Sequence, residues 1–151
     1  MIKIENIKNV SDEKLYEYFW EGGFKQNDLE YNDESRNIYI DAFFAIHMLE
    51  AEVYNGGFDQ FFANGGYEIY SEDALFGLEK MGTSMFENLL REAIIIHLES
   101  TEEEKSLRNP KYDLLDDKFY DYNERGQIEL SNLKILQLKF IRNNIELIKK
   151  G

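Results

Sequence analysis

The chain has 151 residues, 30 acidic and 17 basic side chains and a formal charge of −13, with no cysteine and a single proline. The absence of cysteine excludes disulfides, thiolate metal sites and thiol catalysis, and a strongly negative charge with no Lys/Arg cluster argues against direct nucleic-acid binding, because it repels a polyphosphate. A chain of this length can bury roughly two thirds of its unfolded surface, and 11 Phe, 10 Tyr and 1 Trp supply a core that a disordered acidic chain lacks. The start, Met1-Ile2-Lys3-Ile4-Glu5, brings an acid early and no long apolar run. It is therefore read as neither signal peptide nor membrane anchor, and the protein as cytoplasmic.

In chain order, Ile2, Ile4 and Ile7 alternate too briefly to separate an edge strand from an extended arm. Ser11 followed by Asp12 and Glu13 is an N-cap with first-turn acids, and Leu15, Tyr16, Phe19 and Trp20 repeat at helical spacing up to Gly22-Gly23. A second helix is expected from Asp33 to about Tyr54. Its stretch from Ile38 to Leu49 is interrupted only by Asp41 and His47, so it reads as the central core helix, too short to span a bilayer. Asn55-Gly56-Gly57 should stop it by positive φ, and Asn64-Gly65-Gly66 should stop the short helix Phe58 to Ala63. A fourth helix carries the stripe Tyr67, Tyr70, Ala74, Leu78 and Met81 as far as Gly82. Ser84 and Glu87 form a capping-box pattern opening a fifth, with stripe Phe86, Leu89, Leu90, Ala93, Ile94 and His97. Residues 101 to 111 read as a charged loop closed by Asn109-Pro110, followed by a sixth helix over about 112 to 125, stopped by Gly126, and a seventh from the Ser131 cap to Lys149. The long helices are then 34 to 54, 84 to 100 and 131 to 149. With short connections, no hairpin signal and no repeat, this predicts a compact all-α domain of six to seven helices spanning 1–151, with 1–32 as arm and first helix and 33–151 as its core.

Charge is unevenly distributed along this frame. No basic residue lies between Arg36 and Lys80, while Asp41, Glu50, Glu52, Asp59, Glu68, Glu72, Asp73 and Glu79 do; residues 131 to 151 instead carry a local +4. Projected at 100° per residue, Asp113, Asp117, Asp121 and Glu124 share one face of the sixth helix, opposite Leu115, Phe119 and Tyr122. Glu68, Glu72 and Glu79 align on the fourth. Like charges at i, i+4 cost a few tenths of a kcal/mol per pair, a cost that a neutralising partner would recover.

The most distinctive string is Asn55-Gly56-Gly57-Phe58-Asp59-Gln60-Phe61-Phe62-Ala63-Asn64. Gly-Gly before a helix suggests an anion site, but no P-loop Gly-Lys-Ser/Thr follows and Asp59 would oppose a phosphate. The string reads instead as a tight turn, with Phe58, Phe61 and Phe62 in the core and Gln60 and Asn64 satisfying backbone groups of the turn. His47 and Glu50, at i and i+3, together with His97 are the candidate metal ligands. A second carboxylate–His pair is missing and both histidines lie on apolar stripes, so they read as core residues, with no metal and no cofactor expected. No nucleophile elbow is present, and acid pairs such as Asp116-Asp117 are too frequent in so acidic a chain to mark glycosidase carboxylates.

With Asn55-Gly56-Gly57-Phe58-x-Gln60-Phe61-Phe62-x-Asn64, then Ala74-Leu75, Met81-Gly82 and Leu115-Asp116-x-x-Phe119-Tyr120, residues 35 to 150 resemble a bacterial family, formerly of unknown function, whose best-known member is a DNA-mimic protein. The resemblance implies an all-α fold, a homodimer, and acidic side chains that imitate duplex phosphates and occupy a basic DNA-binding protein such as a transcription regulator. The motif residues themselves read as structural. The expectation is thus a non-enzymatic interaction protein with Asp113, Asp117, Asp121, Glu124, Glu68, Glu72 and Glu79 as candidate partner-binding acids. The alternatives are an immunity or antitoxin-type inhibitor of a basic toxin and, third, a His/Glu metal-dependent enzyme.

Overall fold

Every regular element among the described residues is helical, as the 3.6-residue spacing of the apolar positions requires. The computed structural model describes residues 9–17, 37–124 and 130–150, without the side chains of 149 and 150. Ile2, Ile4, Ile7, Phe19, Trp20, Gly22-Gly23, the expected start of the second helix at Asp33 and the Gly126 stop lie outside the described residues. The elements are α1 (Asp12–Tyr16), α2 (Ile38–Ala63), α3 (Gly66–Ile69), α4 (Ser71–Lys80), α5 (Ser84–Glu99), α6 (Glu102–Ser106), a 3₁₀ turn (Pro110–Tyr112), α7 (Asp113–Tyr122), α8 (Asn132–Asn143) and α9 (Ile145–Lys150). They fall into two compact units, Met1–Asp41 with Arg125–Gly151, and Ala42–Glu124. Among the described residues no helix is long and apolar enough to cross a membrane.

In the first unit, Ser11 caps α1 by accepting the Lys14 N–H, and Leu15 is fully buried. The Asn37 side chain heads α2: its Oδ1 accepts the N–H groups of Tyr39 and Ile40, and its Nδ2 donates to the Ile148 carbonyl at 2.6 Å. Tyr39 stacks on Phe140 with centroids 6.1 Å apart, and Arg142 donates to Asp12 at 2.8 Å. Ser131 caps α8 as expected, but the helix does not run unbroken to Lys149. Asn144 leaves the helical region at φ −133°, ψ 25°, its side chain donating to the Phe140 carbonyl, and α9 begins after it.

The second unit is built on the buried face of α2: Phe43, Ala45, Ile46, Leu49 and Val53. Also buried in this unit are Ala74 and Leu78 of α4, Phe86, Leu89, Leu90 and Ala93 of α5, and Leu115 and Phe119 of α7, with α5 in contact with both α4 and α7. Phe119 meets Phe58 and Phe86 edge-on at 6.0 and 5.5 Å, a favourable quadrupole arrangement. Gly77 permits the close approach of α4, since a Cβ there would stand 2.7 Å from Ile46 Cδ1 and 3.0 Å from Ala42 Cβ.

Three local expectations are corrected here. The fourth helix is two, α3 and α4, because Tyr70 departs from helical geometry at φ −121°, ψ −24°, and Tyr67 of the expected stripe is exposed. The Ser84/Glu87 capping box does not form: Glu87 is drawn to Arg91 at 2.9 Å, and Thr83 precedes α5, its hydroxyl donating to the Leu78 carbonyl. The box lies instead at Thr101 and Glu104, where side chain and backbone exchange two hydrogen bonds of 3.1 Å and turn part of the expected loop into α6.

Gly77→Val should cost about 1–3 kcal/mol through overpacking against Ile46 and Ala42, read as a lower urea midpoint with unchanged slope.

Candidate functional site

The Asn55–Asn64 string is a kink inside α2. Gly56 is extended at φ −163°, and Gly57 alone takes a positive φ of 75°, so helical hydrogen bonding lapses between the two halves. The second half therefore starts with an unmet Phe58 N–H, which the Asp116 carboxylate of α7 accepts at 2.9 Å. A Cβ on Gly57 would overlap that carboxylate. The positive-φ requirement expected of the whole Gly-Gly turn thus falls on Gly57. Phe58, Phe61 and Phe62 are buried, each such ring being worth about 1.5–3 kcal/mol. Gln60 and Asn64 do not serve the turn backbone; both amides donate to Glu52, at 2.9 and 2.7 Å. Asn55 is exposed.

Other bonds tie α7 and its approach to the same kink. The Asp59 Oδ2 accepts the Asn109 N–H at 2.9 Å, and Asn109 in turn caps the 3₁₀ turn through the Lys111 N–H. The Tyr120 hydroxyl donates to the Val53 carbonyl, the Tyr54 hydroxyl to the Asn123 carbonyl, and the Asn123 amide to Glu50.

This arrangement leaves a cleft of about 450 Å³ lined by Gly56, Gly57, Asp59, Arg108, Asp113, Asp116, Asp117 and Tyr120. Four carboxylates face it with one guanidinium, and that guanidinium is paired with Asp113 at 2.5 Å. Burial pushes the Asp116 carboxyl up, against the pull of the Phe58 N–H, and the Asp59 charge adds to the rise; burial likewise raises Asp59. The Tyr120 hydroxyl is raised by burial and by Asp116.

Of the acids singled out from the sequence, Asp113 and Asp117 line the cleft; Asp121 is exposed one turn further along α7. Glu124 is exposed but leaves the expected face, because α7 ends at Tyr122 and Asn123 turns the chain. Glu68 on α3, Glu72 and Glu79 on α4 are exposed, and the break at Tyr70 removes Glu68 from the single-helix alignment. Sequence reasoning missed Asp59 and Asp116 as parts of the site. A glycine pair before a helix start signals an N–H in need of an acceptor, but nothing in the sequence points to Asp116, 58 residues away, as that acceptor. His47, Glu50 and His97 are not brought together: no group of three or more His, Asp or Glu among the described residues is placed to hold a metal ion. Glu50 instead takes the Asn123 amide, and His97 stacks on Phe62 with centroids 4.4 Å apart and planes 7° apart.

The two units differ sharply in charge. Ala42–Glu124 holds 18 acidic and 6 basic side chains, a net −12, whereas the rest of the chain holds 12 and 11, a net −1. Residues 30–144 match the DMP19-like protein family and span this acidic unit entirely, with both the glycine kink and its Asp116 partner. The chain belongs to the DMP19-like protein family. No curated protein and no solved structure matches it. In this DMP19-like chain Gly57 makes the kink, Phe58, Phe61 and Phe62 bury their rings beyond it, and the exposed Asp117 lines the cleft beside it.

Because burial raises Asp59 and Asp116, their protonated forms favour the fold. That contribution is complete below the unfolded value of 3.8 and is lost as pH rises through the raised folded value. Asp116→Asn keeps an oxygen for the Phe58 N–H without the charge, so urea midpoints should show it gaining on wild type as pH rises from the unfolded value of 3.8 through the raised folded value. Asp116→Ala, which leaves the N–H unmet, should lose about 1–2 kcal/mol. Gly57→Ala should cost about 1–3 kcal/mol through backbone strain and more than Gly56→Ala, the order being readable from melting temperatures.

Proposed function

We propose that this DMP19-like protein is a non-enzymatic DNA mimic, a carboxylate surface that occupies the duplex-binding site of a basic DNA-binding protein. The observation that carries the reading is the concentration of charge: a net −12 on the Ala42–Glu124 unit, against −1 on the remainder. Membership of the family is consistent with it.

The electrostatics set what such a surface must do. Duplex DNA carries one charge per about 1.7 Å of axis, while Asp113, Asp117 and Asp121 follow one another about every 6 Å along α7. One helix is too sparse, so the α7 acids act together with Glu68, Glu72 and Glu79 from α3 and α4, and a homodimer doubles the supply. Asp59 and Asp116, each engaged to a backbone N–H, fix the geometry; the exposed Asp117 and Asp121 meet the partner. Association of this kind is fast at low salt and screened over a Debye length of about 8 Å at physiological ionic strength.

The experiment begins with capture of the basic partner from the native cell and continues as competition against labelled duplex. Adding the protein should release the DNA, with apparent affinity falling steeply as salt rises. Asp117→Asn combined with Asp121→Asn should weaken the complex by about threefold to tenfold at low salt, mainly through slower association, without lowering the melting temperature. A partner that holds DNA and this protein at once, or a double variant with undiminished affinity, overturns the reading.

A further inference from the structure

A pocket of about 220 Å³ adjoins the acid cleft, and Asp59 lines both. Its wall is aromatic: Phe62 lies flat on His97, and Tyr112 stands 5.6 Å from Phe62. Burial lowers the His97 ring and raises the Tyr112 hydroxyl, so near neutral pH the first is uncharged and the second keeps its proton. The polar atoms on this wall are left over from folding. Asp59 gives Oδ2 to the Asn109 N–H, while its Oδ1, the Tyr112 hydroxyl and the His97 ring nitrogens take no hydrogen bond among the described residues. Lys105, the cation of the lining, has its Nζ 3.6 Å from Glu102.

Aromatic rings beside a carboxylate and a phenol oxygen complement one common chemical group. A guanidinium is planar, weakly hydrated and rich in N–H donors, so it can lie against aromatic rings while its edge bonds acceptors. A lysine ammonium, compact and strongly hydrated, uses only part of such a wall. The volume is several times the ~30 Å³ share of one water and below the ~300–1,000 Å³ of pockets that enclose drug-sized molecules, which suits the head of a side chain.

We propose that this pocket receives the guanidinium of an arginine from the basic partner, with Asp59 Oδ1 and the Tyr112 oxygen accepting its N–H groups against the wall of Phe62, His97 and Tyr112. The arginine's source rests on the DNA-mimic reading above. The pocket adds what a scatter of surface carboxylates lacks, a preference for arginine over lysine and a fixed register on the partner.

The first arm uses the protein alone and Nα-acetyl-arginine methylamide, followed by the imidazole NMR signals of the chain's two histidines. His97 should shift saturably in the millimolar range while His47 stays in place, and the lysine counterpart should bind about fivefold more weakly. Tyr112→Phe should weaken the arginine compound by roughly threefold. Ala63→Trp, which fills the pocket from an exposed lining position without altering charge, should abolish the shift. In the second arm, with the captured partner, Ala63→Trp and Tyr112→Phe should each reduce affinity while the salt dependence keeps its slope, because neither removes a charge.

A silent His97, or equal responses to the arginine and lysine compounds, overturns the pocket. A partner bound with unchanged affinity by both uncharged variants overturns the arginine contact and leaves the mimic reading standing. Saturable arginine binding without any DNA-competing partner does the reverse: the mimic reading falls and the guanidinium pocket remains.

Discussion

The acidic unit depends on a carboxylate placed under a glycine. Gly57 must swing to positive φ for the chain to kink within α2, and the kink frees the Phe58 N–H in surroundings where an unmade hydrogen bond is costly. Asp116 answers it across 58 residues of sequence, close enough that any side chain at 57 would collide with it. That contact fixes where α7 lies along α2, and Tyr120, Tyr54 and Asn123 continue the seam in the same direction. Phe58 and Phe119 then meet edge-on behind it.

The same chemistry serves two ends in this unit. A carboxylate that is half-buried and bonded to backbone N–H groups, as Asp59 and Asp116 are, organises the chain and carries the cost of desolvation, which appears as its upward shift. A carboxylate left in water, as Asp117 and Asp121 are, costs the fold little beyond like-charge repulsion. Counting acids along the chain merges the two kinds. Only burial and hydrogen bonding separate those that hold the surface from those that the surface presents.

In the proposed DNA-mimic role, concentrating charge in one unit also sets how selectivity can arise. Screened, long-range attraction draws any basic partner and accelerates encounter, but it discriminates poorly among basic proteins. Discrimination requires short-range complementarity at a defined place. In this unit Asp59 stands where a charged cleft and an aromatic pocket meet.

Helical class, the principal boundaries near Ala63, Lys80 and Glu99, and the burial of Phe58, Phe61 and Phe62 were legible in the sequence, because they follow from apolar periodicity and from glycines and caps that act within a few residues. Polarisation of charge was legible for the same reason, since it needs only counting. The sequence misled where two local signals competed. Glu87 could cap or pair with Arg91, Thr101 could open a helix in a charged stretch, and Asn144 could interrupt an otherwise continuous amphipathic run; the difference of a few tenths to about 1 kcal/mol between such options is settled by neighbours. The choice of Gly57 over Gly56 as the strained residue, the partnership with Asp116, the grouping of four acids around a cleft and the wall of Phe62, His97 and Tyr112 were decided by tertiary structure alone. Each joins residues tens of positions apart, and backbone groups orphaned at a kink carry no mark in the sequence of which distant side chain will satisfy them.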